Sequence, residues 1–402
     1  PEYGWNDYEG LDVRGKCAVV LVNDPGLYTG DSTLFKGRQM TYYGRWTYKY
    51  EEAAQQGAAA ILIVHETVGA GYDYSIPRKS SLSPSLYMEQ SEDIITPCPV
   101  TGWISAEAAE KIFGARGYVV KELRTEACRK SFKGFGLGSI SLNLTNSHQK
   151  NSSVNVAGIL RGSEKPEECI VISAHWDHFG IGEAENGDSI YNGAVDNGTS
   201  MAWALEIGEA FSSLKERPER SVILLFPTAE EQGLLGSSWF AANPPVRPED
   251  LIACINNDLM LPMGRMRDIM ITGYGQSELE DLLAEVAVRQ DRYIMPDPHP
   301  ETGMYFRSDH FPFARIGVPS LFARGNCDNR EYGKEWAAGQ ENLYLTERYH
   351  KPADNYYPEM NFEGIEEDAK AIFEVAWKIV TSDMRPGWKP GSEFANIRHT
   401  VN

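Results

Sequence analysis

The stretch Val222-Ile223-Leu224-Leu225-Phe226-Pro227-Thr228-Ala229-Glu230-Glu231-Gln232-Gly233 sets two adjacent glutamates just beyond five consecutive apolar residues. A short continuous apolar run of this kind suits a strand buried on both faces, as in a parallel sheet covered by helices. Two neighbouring carboxylates repel each other and are costly to desolvate, so a strand that carries them into a fold calls for a cation. Working outward, His175 follows the run Cys169-Ile170-Val171-Ile172, and Asp258 follows Leu251-Ile252-Ala253-Cys254-Ile255-Asn256-Asn257. Asp196 lies in Gly193-Ala194-Val195-Asp196-Asn197-Gly198, and His350 in Tyr349-His350-Lys351-Pro352-Ala353-Asp354. Most of these groups stand at the C-terminal end of a predicted strand or just past it, the edge at which open parallel sheets bind ligands. The pattern reads as a metal site.

At 402 residues the chain is long enough for two domains and a large core. It is 42% hydrophobic and 24% charged, which is ordinary for a globular protein. No run of about 18 apolar residues occurs, so no membrane insertion is expected. The chain opens Pro1-Glu2-Tyr3-Gly4-Trp5 with no initiator Met, which reads as processing or trimming and leaves export open. A formal charge of -19 argues against nucleic acid and anionic membrane surfaces, which reward lysine and arginine. Cysteines 17, 98, 128, 169, 254 and 327 form no CxxC pair, which excludes a Cys-rich zinc motif and is too sparse for a disulfide framework. One or two disulfides stay open if the protein is exported, whereas Cys169 and Cys254 read as small buried hydrophobes.

The first 135 residues read as one unit, with buried strands at 17–22 and 58–64, a helix over 45–56, a strand over 100–103 and a helix over 105–113 capped by Ser105. Residues 72–96 read as a long loop and 134–138 as a linker. Residues 139–144 and 154–160 alternate like the strands of an antiparallel pair. Strands at 169–174, 221–226, 251–256, 268–272 and 318–323 then alternate with helices near 198–214, 276–290 and 364–381. This is an α/β pattern with a mostly parallel sheet. The Gly-, Pro- and polar-rich ending from Arg385 reads as a surface tail. Asn143, Asn151 and Asn197 lie in formal glycosylation sequons, but Asn197 adjoins the candidate site and reads as a helix start. Gly180-Ile181-Gly182 lacks the strand-Gly-helix context of a phosphate loop.

A hydrolase built on two zinc ions needs a bridging carboxylate, nitrogen and oxygen ligands for each ion about 3.5 Å apart, and a base for the attacking water. His175, Asp196, Glu230, Glu231, Asp258 and His350 supply that inventory in order. The blocks AHWDH (174–178), GAVDNGTS (193–200), FPTAEEQGLLGS (226–237), NNDL (256–259), RSDHFPFARIGVP (307–319) and RYHKPADN (348–355) resemble the bacterial co-catalytic zinc peptidases, the family that includes the Streptomyces and Vibrio aminopeptidases and glutamate carboxypeptidase. The resemblance implies an α/β/α zinc-exopeptidase sandwich with a mixed, mostly parallel sheet, holding two Zn²⁺ per chain. It implies that Asp196 bridges the ions, that His175 and Asp258 complete one, and that Glu231 and His350 complete the other. By the same resemblance Glu230 is the general base and acid, Asp177 orients the His175 imidazole, and Tyr349 binds the oxyanion. His178, His310, Asp309 and Asp354 are left outside the ligand set, with packing or supporting roles open to them.

Residues 12–20 and 51–61 resemble a protease-associated domain, so the implied organisation is 1–135 protease-associated domain, 136–383 peptidase domain and 384–402 tail. In relatives that domain interrupts the peptidase domain, so a chain beginning within it lacks the first helix and edge strands and leaves a sheet edge uncovered. The implied substrates are peptides, the implied location is periplasmic or secreted, and the oligomeric state is open, a dimer included. Aminopeptidase action is favoured over carboxypeptidase or dipeptidase action. Carboxypeptidase relatives grip the substrate carboxylate with arginines, for which Arg307, Arg315, Arg324 and Arg330 are candidates. A metallo-β-lactamase motif is a poor fit, because Ser173 stands where its first histidine belongs. Glutaminyl cyclases share the peptidase fold without the inserted domain. A non-catalytic binding module, like the transferrin receptor ectodomain, would have lost ligands that are all present here.

Overall fold

The computed structural model describes residues 3–89 and 97–397 and resolves into two compact units. The first comprises residues 1–151 together with 299–306. Its strands β1 (Cys17–Leu21), β2 (Ala60–Val64) and β3 (Val100–Ile104) form a parallel sheet in that order. The helix Trp46–Gln55 buries Ala53 with Ile61 and Ile63 on one face, and the helices Ala106–Gly114 and Val120–Ala127 bury Ala109 and Val120 with Val64 on the other. Ser105 caps its helix as expected, its Oγ accepting the Ala108 N–H at 3.1 Å. The returning segment 299–306 is tied into this unit. The Met40 N–H donates to the Pro300 carbonyl at 3.1 Å, the Asn23 amide to the Glu301 carbonyl at 3.1 Å, and Arg38 pairs with the Glu301 carboxylate at 2.9 Å. A linear boundary at 135 does not contain that return, because segments distant in sequence can fold together.

The second unit is built on β4 (Val156–Leu160), β5 (Lys165–Ser173), β8 (Arg220–Phe226), β9 (Leu251–Asn256), β10 (Asp268–Ile271), β11 (Tyr293–Pro296) and β12 (Ser320–Arg324). Between β5 and β8 lies a hairpin of β6 (Gly180–Glu185) and β7 (Asp188–Tyr191). The main sheet runs β11-β10-β12-β9-β5-β8-β4. Strands β12, β9, β5 and β8 are mutually parallel, while β4 joins β8, and β10 joins β12, in antiparallel fashion. The fold class is therefore mixed α/β with a mainly parallel central sheet, as the strand-helix alternation implies.

Helices cover both faces of this sheet. Ser200–Ser212, Leu279–Arg289 and Glu363–Val380 pack Trp203, Ile207, Leu283, Ile372 and Ile379 against Ile170, Ile172 and Ile255. On the other face Phe240 and Phe313, from helices Leu235–Ala242 and His310–Arg315, meet Val171, Ile223 and Leu225. Each fully buried Ile, Leu or Phe contributes roughly 1.5–3 kcal/mol of transfer free energy. Glu363–Val380 shows why this sequence is helical. Ile365, Ala369, Ile372, Val375, Ala376 and Ile379 recur on one buried face, Glu363 and Glu366 sit in its first turn and Lys378 in its last.

Three expectations need correction. Residues 139–144 form no strand, and their Ile140, Leu142 and Leu144 are exposed, while β4 pairs with β8 in the register Ile159↔Ile223. Alternation tells which side chains share a face but not which backbone they bond. The loop at 72–96 contains the helix Ser75–Ser80, and its residues 90–96 lie outside the described residues. Among the described residues of the ending, 385–397 is anchored rather than a loose tail. Trp388 Nε1 donates to the Gly317 carbonyl at 3.0 Å, and Phe394, 3% exposed, packs on Trp388 and Phe311. Its average composition hid two anchoring aromatics. All six cysteines are free, with Cys169 and Cys254 fully buried in the apolar core.

Candidate metal centre

Three adjacent parallel strands, β8, β5 and β9, end at one edge of the sheet and deliver Glu230 and Glu231, His175, and Asp258 from the loops just beyond them. The turn 194–199 before the helix Ser200–Ser212 brings in Asp196, and the segment after the helix Gly333–Glu347 brings in His350. Several of these loops hold non-glycine residues in the left-handed region: Ala229 at φ 54° before Glu230, Leu259 at φ 55° after Asp258, and His350 itself at φ 57°. Each such residue costs of order 1–3 kcal/mol and persists where surrounding structure fixes it, commonly at functional sites. Gly193 is required by its surroundings. At φ 65° a side chain is already strained, and a Cβ there would lie 2.3 Å from the Asp196 carbonyl oxygen.

The two carboxylate oxygens of Asp196 face two different imidazoles. Oδ1 is 3.3 Å from His175 Nε2, and Oδ2 is 3.2 Å from His350 Nε2. His175 Nε2 is also 3.4 Å from Asp258 Oδ1 and 4.0 Å from Glu230 Oε2, while His350 Nε2 is 3.2 Å from Glu231 Oε2. Two clusters of donor atoms result, one around His175, Glu230 and Asp258, the other around His178, Asp196 and Glu231. Yet His175 Nε2 and Asp258 Oδ1 are buried without a hydrogen-bond partner. Buried polar atoms left in this way are expensive unless something else satisfies them. A mixed set of imidazole nitrogens and carboxylate oxygens is what Zn²⁺ takes. The residues fit the ion.

Supporting bonds aim these groups. The His175 Nδ1 lies 3.0 Å from the Asp177 carbonyl oxygen and 3.8 Å from its carboxylate. The main chain of Asp177 thus holds the ring, and Nε2 is turned toward the carboxylates. The Asp177 carboxylate instead accepts the N–H groups of Glu230 at 3.1 Å and Glu231 at 3.4 Å, fixing the backbone of the glutamate pair. Ser308 Oγ donates to Asp258 Oδ2 at 2.9 Å and accepts from Asn256 Nδ2 at 2.7 Å, so Oδ1 is the oxygen left for an ion. Asp354 accepts the Val195 N–H at 3.1 Å, the Asp196 N–H at 3.0 Å and the Tyr344 hydroxyl at 3.1 Å. One carboxylate therefore ties the His350 segment to the turn that carries Asp196.

The electrostatics ask for positive charge. Burial alone would neutralise His175, but Glu230 and Asp258 raise its pKa well above the usual imidazole value. Burial would likewise raise Asp196, but the adjacent imidazoles of His175 and His350 instead pull it below the carboxylate range. Burial, then the charge of Asp196, pushes Glu231 up to about 8, against the pull of His350. Glu230 is raised well above its ordinary value by burial, with His175 opposing and Asp258, Glu231 and Asp309 reinforcing. Burial and the surrounding carboxylates, Asp196 first, hold the Tyr349 hydroxyl protonated. Its ring stacks on His350 with centroids 3.7 Å apart.

All eight residues singled out from the sequence lie in the second unit; five of the six candidate ligand and base residues belong to these two clusters, and the sixth, His350, lies 3.2 Å from Asp196 and Glu231 of the second. Three residues with a part in the site were left outside the sequence-derived set. His178 Nδ1 is 2.6 Å from Glu231 Oε1, Asp354 makes the bonds above, and Asp309 is fully buried with its pKa raised to about 7 by burial. The sequence signal for each was only its nearness to a motif: His178 within AHWDH, Asp309 within RSDH and Asp354 within HKPAD.

Residues 155–375 match the model of peptidase family M28. The chain is 27% identical over 260 residues to "Carboxypeptidase Q" of Bos taurus, covering 63% of this chain and 44% of the relative. It is 28% identical over 256 residues to a "probable leucine aminopeptidase 2" of Aspergillus oryzae, covering 60% of this chain and 48% of the relative. In both cases the matched part spans less than half of the curated relative's length. Among solved structures, a zinc aminopeptidase from Bacillus subtilis aligns with 97% of this chain and 74% of its own at 16% identity and a TM-score of 0.44. Among the described residues, no helix is long and apolar enough to cross a membrane.

Proposed function

Since the chain belongs to peptidase family M28, we propose that it is a two-zinc exopeptidase that removes N-terminal residues from peptides. The observation that carries this reading is Asp196, whose Oδ1 and Oδ2 face the separate imidazoles of His175 and His350 at 3.3 and 3.2 Å. Asp196 would bridge the two ions, His175 and Asp258 would hold one, and Glu231 and His350 the other. His178, bonded to Glu231 Oε1, would steady that ligand and leave Oε2 for the ion. When bound, the zinc pair would polarise the scissile carbonyl and make a water nucleophilic near neutral pH.

The chain's own groups do the rest. Glu230, whose Oε2 stands 4.0 Å from His175 Nε2, farther than Asp196 or Asp258, takes the proton of the attacking water. It then gives that proton to the nitrogen of the leaving amine. Tyr349, held neutral among carboxylates, keeps a proton to donate to the oxygen that gains charge in the tetrahedral state. Asp177 accepts the N–H groups of both glutamates and so fixes the backbone from which Glu231 would hold an ion and Glu230 would act on the water.

The first unit, with its parallel three-stranded sheet, is proposed to be a protease-associated domain, and the protein to act in the periplasm or outside the cell. One peptide offered with a free N-terminus, an acetylated N-terminus and an amidated C-terminus tests the direction of attack. Acetylation is expected to block hydrolysis and amidation to leave it. The reverse pattern would make the protein a carboxypeptidase.

A further inference from the structure

The first unit holds a cavity of about 460 Å³ between the helix Val120–Ala127 and the chain on either side of it. Small-ligand sites span roughly 300–1,000 Å³, so this one has the size of a binding site. The helix supplies one wall. Val119, Glu122, Leu123 and Glu126 follow the i, i+3, i+4, i+7 spacing of a single helical face, and all four line the cavity, while Val120 is buried with Val64 and Ala109. The other wall forms where the chain folds back. The Arg129 N–H donates to the Glu126 carbonyl at 3.0 Å and the Phe132 N–H to the Arg129 carbonyl at 2.9 Å, which turns the backbone. Phe135 then meets Tyr118 with ring centroids 4.6 Å apart and Phe132 at 6.4 Å, and all three rings line the cavity. Tyr118 is 38% and Phe135 37% exposed, so the rings face this space rather than the core.

The charges at the cavity are unbalanced. Glu122 and Glu126, four residues apart on one helix, repel each other. Neither carboxylate has an ion-pair or hydrogen-bond partner among the described residues. Other carboxylates of the unit do pair: Glu66 with Arg124 and Glu107 with Lys111, each at 2.7 Å, and Glu9 with Lys133. Lys133 lines the cavity but is taken by Glu9, so two carboxylates face the single guanidinium of Arg129. Aromatic faces beside carboxylates complement a cation on an apolar stem, because the rings attract the charge, the stem packs on them and the carboxylates pair with the charged end. A second copy of a chain of net charge -19 is a poor occupant, since like charge opposes its approach.

We propose that this cavity is a docking site for a lysine or arginine side chain of a peptide. The cationic end is held by Glu122 and Glu126, the stem lies along the rings of Tyr118, Phe132 and Phe135, and Arg129 serves a main-chain carbonyl of the same peptide. That the cation arrives on a peptide rests on the peptidase reading above. The cavity belongs wholly to the first unit and the candidate metal centre to the second, so binding and hydrolysis can be measured apart.

The test titrates the zinc-loaded full chain by calorimetry with Ac-Ala-Arg-Ala-NH2 and with Ac-Ala-Gln-Ala-NH2, whose blocked ends resist attack by an exopeptidase. Two ion pairs and a ring contact at a half-exposed site are together worth about tenfold in Kd, the margin by which wild type should favour the arginine peptide. That margin should shrink at high salt and fall to about one in the double variant Glu122→Gln, Glu126→Gln, with the melting temperature and the hydrolysis of a neutral peptide unchanged. No measurable binding of the arginine peptide, equal affinity for the two peptides in wild type, or a preference that survives in the variant overturns the proposal. Spermidine decides the source of the cation, and displacement of the arginine peptide by spermidine at equal concentration would refute a peptide as the occupant. A preference for arginine in a chain that hydrolyses no peptide would uphold the docking site and sink the peptidase reading, and hydrolysis without that preference would do the reverse.

Discussion

Replacing Asp354 by Ala should weaken metal binding without touching any proposed ligand. Its carboxylate is fully buried and accepts three donors: the N–H groups of Val195 and Asp196 and the Tyr344 hydroxyl, at 3.1, 3.0 and 3.1 Å. A buried donor left unsatisfied costs roughly 1–3 kcal/mol, so the three sum to about 3–9 kcal/mol if nothing relaxes. Part is returned, because burial raises the Asp354 pKa and removing a disfavoured charge helps. A net loss of about 3 kcal/mol is expected from chemical denaturation. The turn that carries Asp196 would then be held by fewer bonds, among them the Ala194 N–H to the Asp354 main-chain carbonyl at 3.1 Å. Removing a partner that orients a metal ligand typically costs 10–100-fold in metal affinity. Asp354→Asn, which keeps one acceptor oxygen, should lose about a third as much stability, and Tyr344→Phe, which removes one donor, less than about 1 kcal/mol. Competition for Zn²⁺ with a chromogenic chelator measures the affinities. If Asp354→Ala holds zinc within twofold of wild type, Asp354 does not position the bridging carboxylate.

The glutamate pair should separate on mutation. Glu230→Gln should keep both ions and lose at least about 10²–10⁴-fold in kcat, whereas Glu231→Gln should lose one ion; equal metal content with equal activity loss would contradict the division of labour. In the first unit, burial raises the Asp24 pKa from 3.8 to about 6, even though Thr41 donates to it through N–H and hydroxyl. A carboxyl group with a raised folded pKa binds more protons folded than unfolded. Its stabilising contribution is present below about pH 4 and lost as pH rises through about 6, a difference of roughly 3 kcal/mol by pH 7.5. Asp24→Asn, still able to accept the Thr41 N–H, should unfold with less dependence on pH between 4.5 and 7.5, and an unchanged pH profile would count against this.

The strands and long helices of the second unit were legible because each depends on a local pattern. Val222–Phe226 and Leu251–Ile255 are continuous apolar runs, and residues 364–381 repeat at helical spacing. The candidate ligand residues stood out for a related reason, since each follows such a run or sits in a distinctive block. What the sequence withheld depends on three-dimensional closure. Nothing local says that segment 299–306 folds with the first unit, or that Trp388 and Phe394 anchor the ending. The supporting bonds are equally hidden. Asp354 reaches Val195 and Asp196 across more than 150 residues of sequence, and Asp177 serves main-chain N–H groups that leave no mark on residue identity. The left-handed backbone at Ala229 and Leu259 runs against what those residue types prefer, so propensity points away from it.

The account turns on Asp196 serving two ions at once. Elemental analysis of wild type and Asp196→Asn, each loaded with Zn²⁺ and freed of excess, tests that most directly. Two zinc ions per wild-type chain, with tight binding of both lost in the variant, is the predicted result. A wild-type chain that holds one ion or none, or a variant that still retains two, would contradict it.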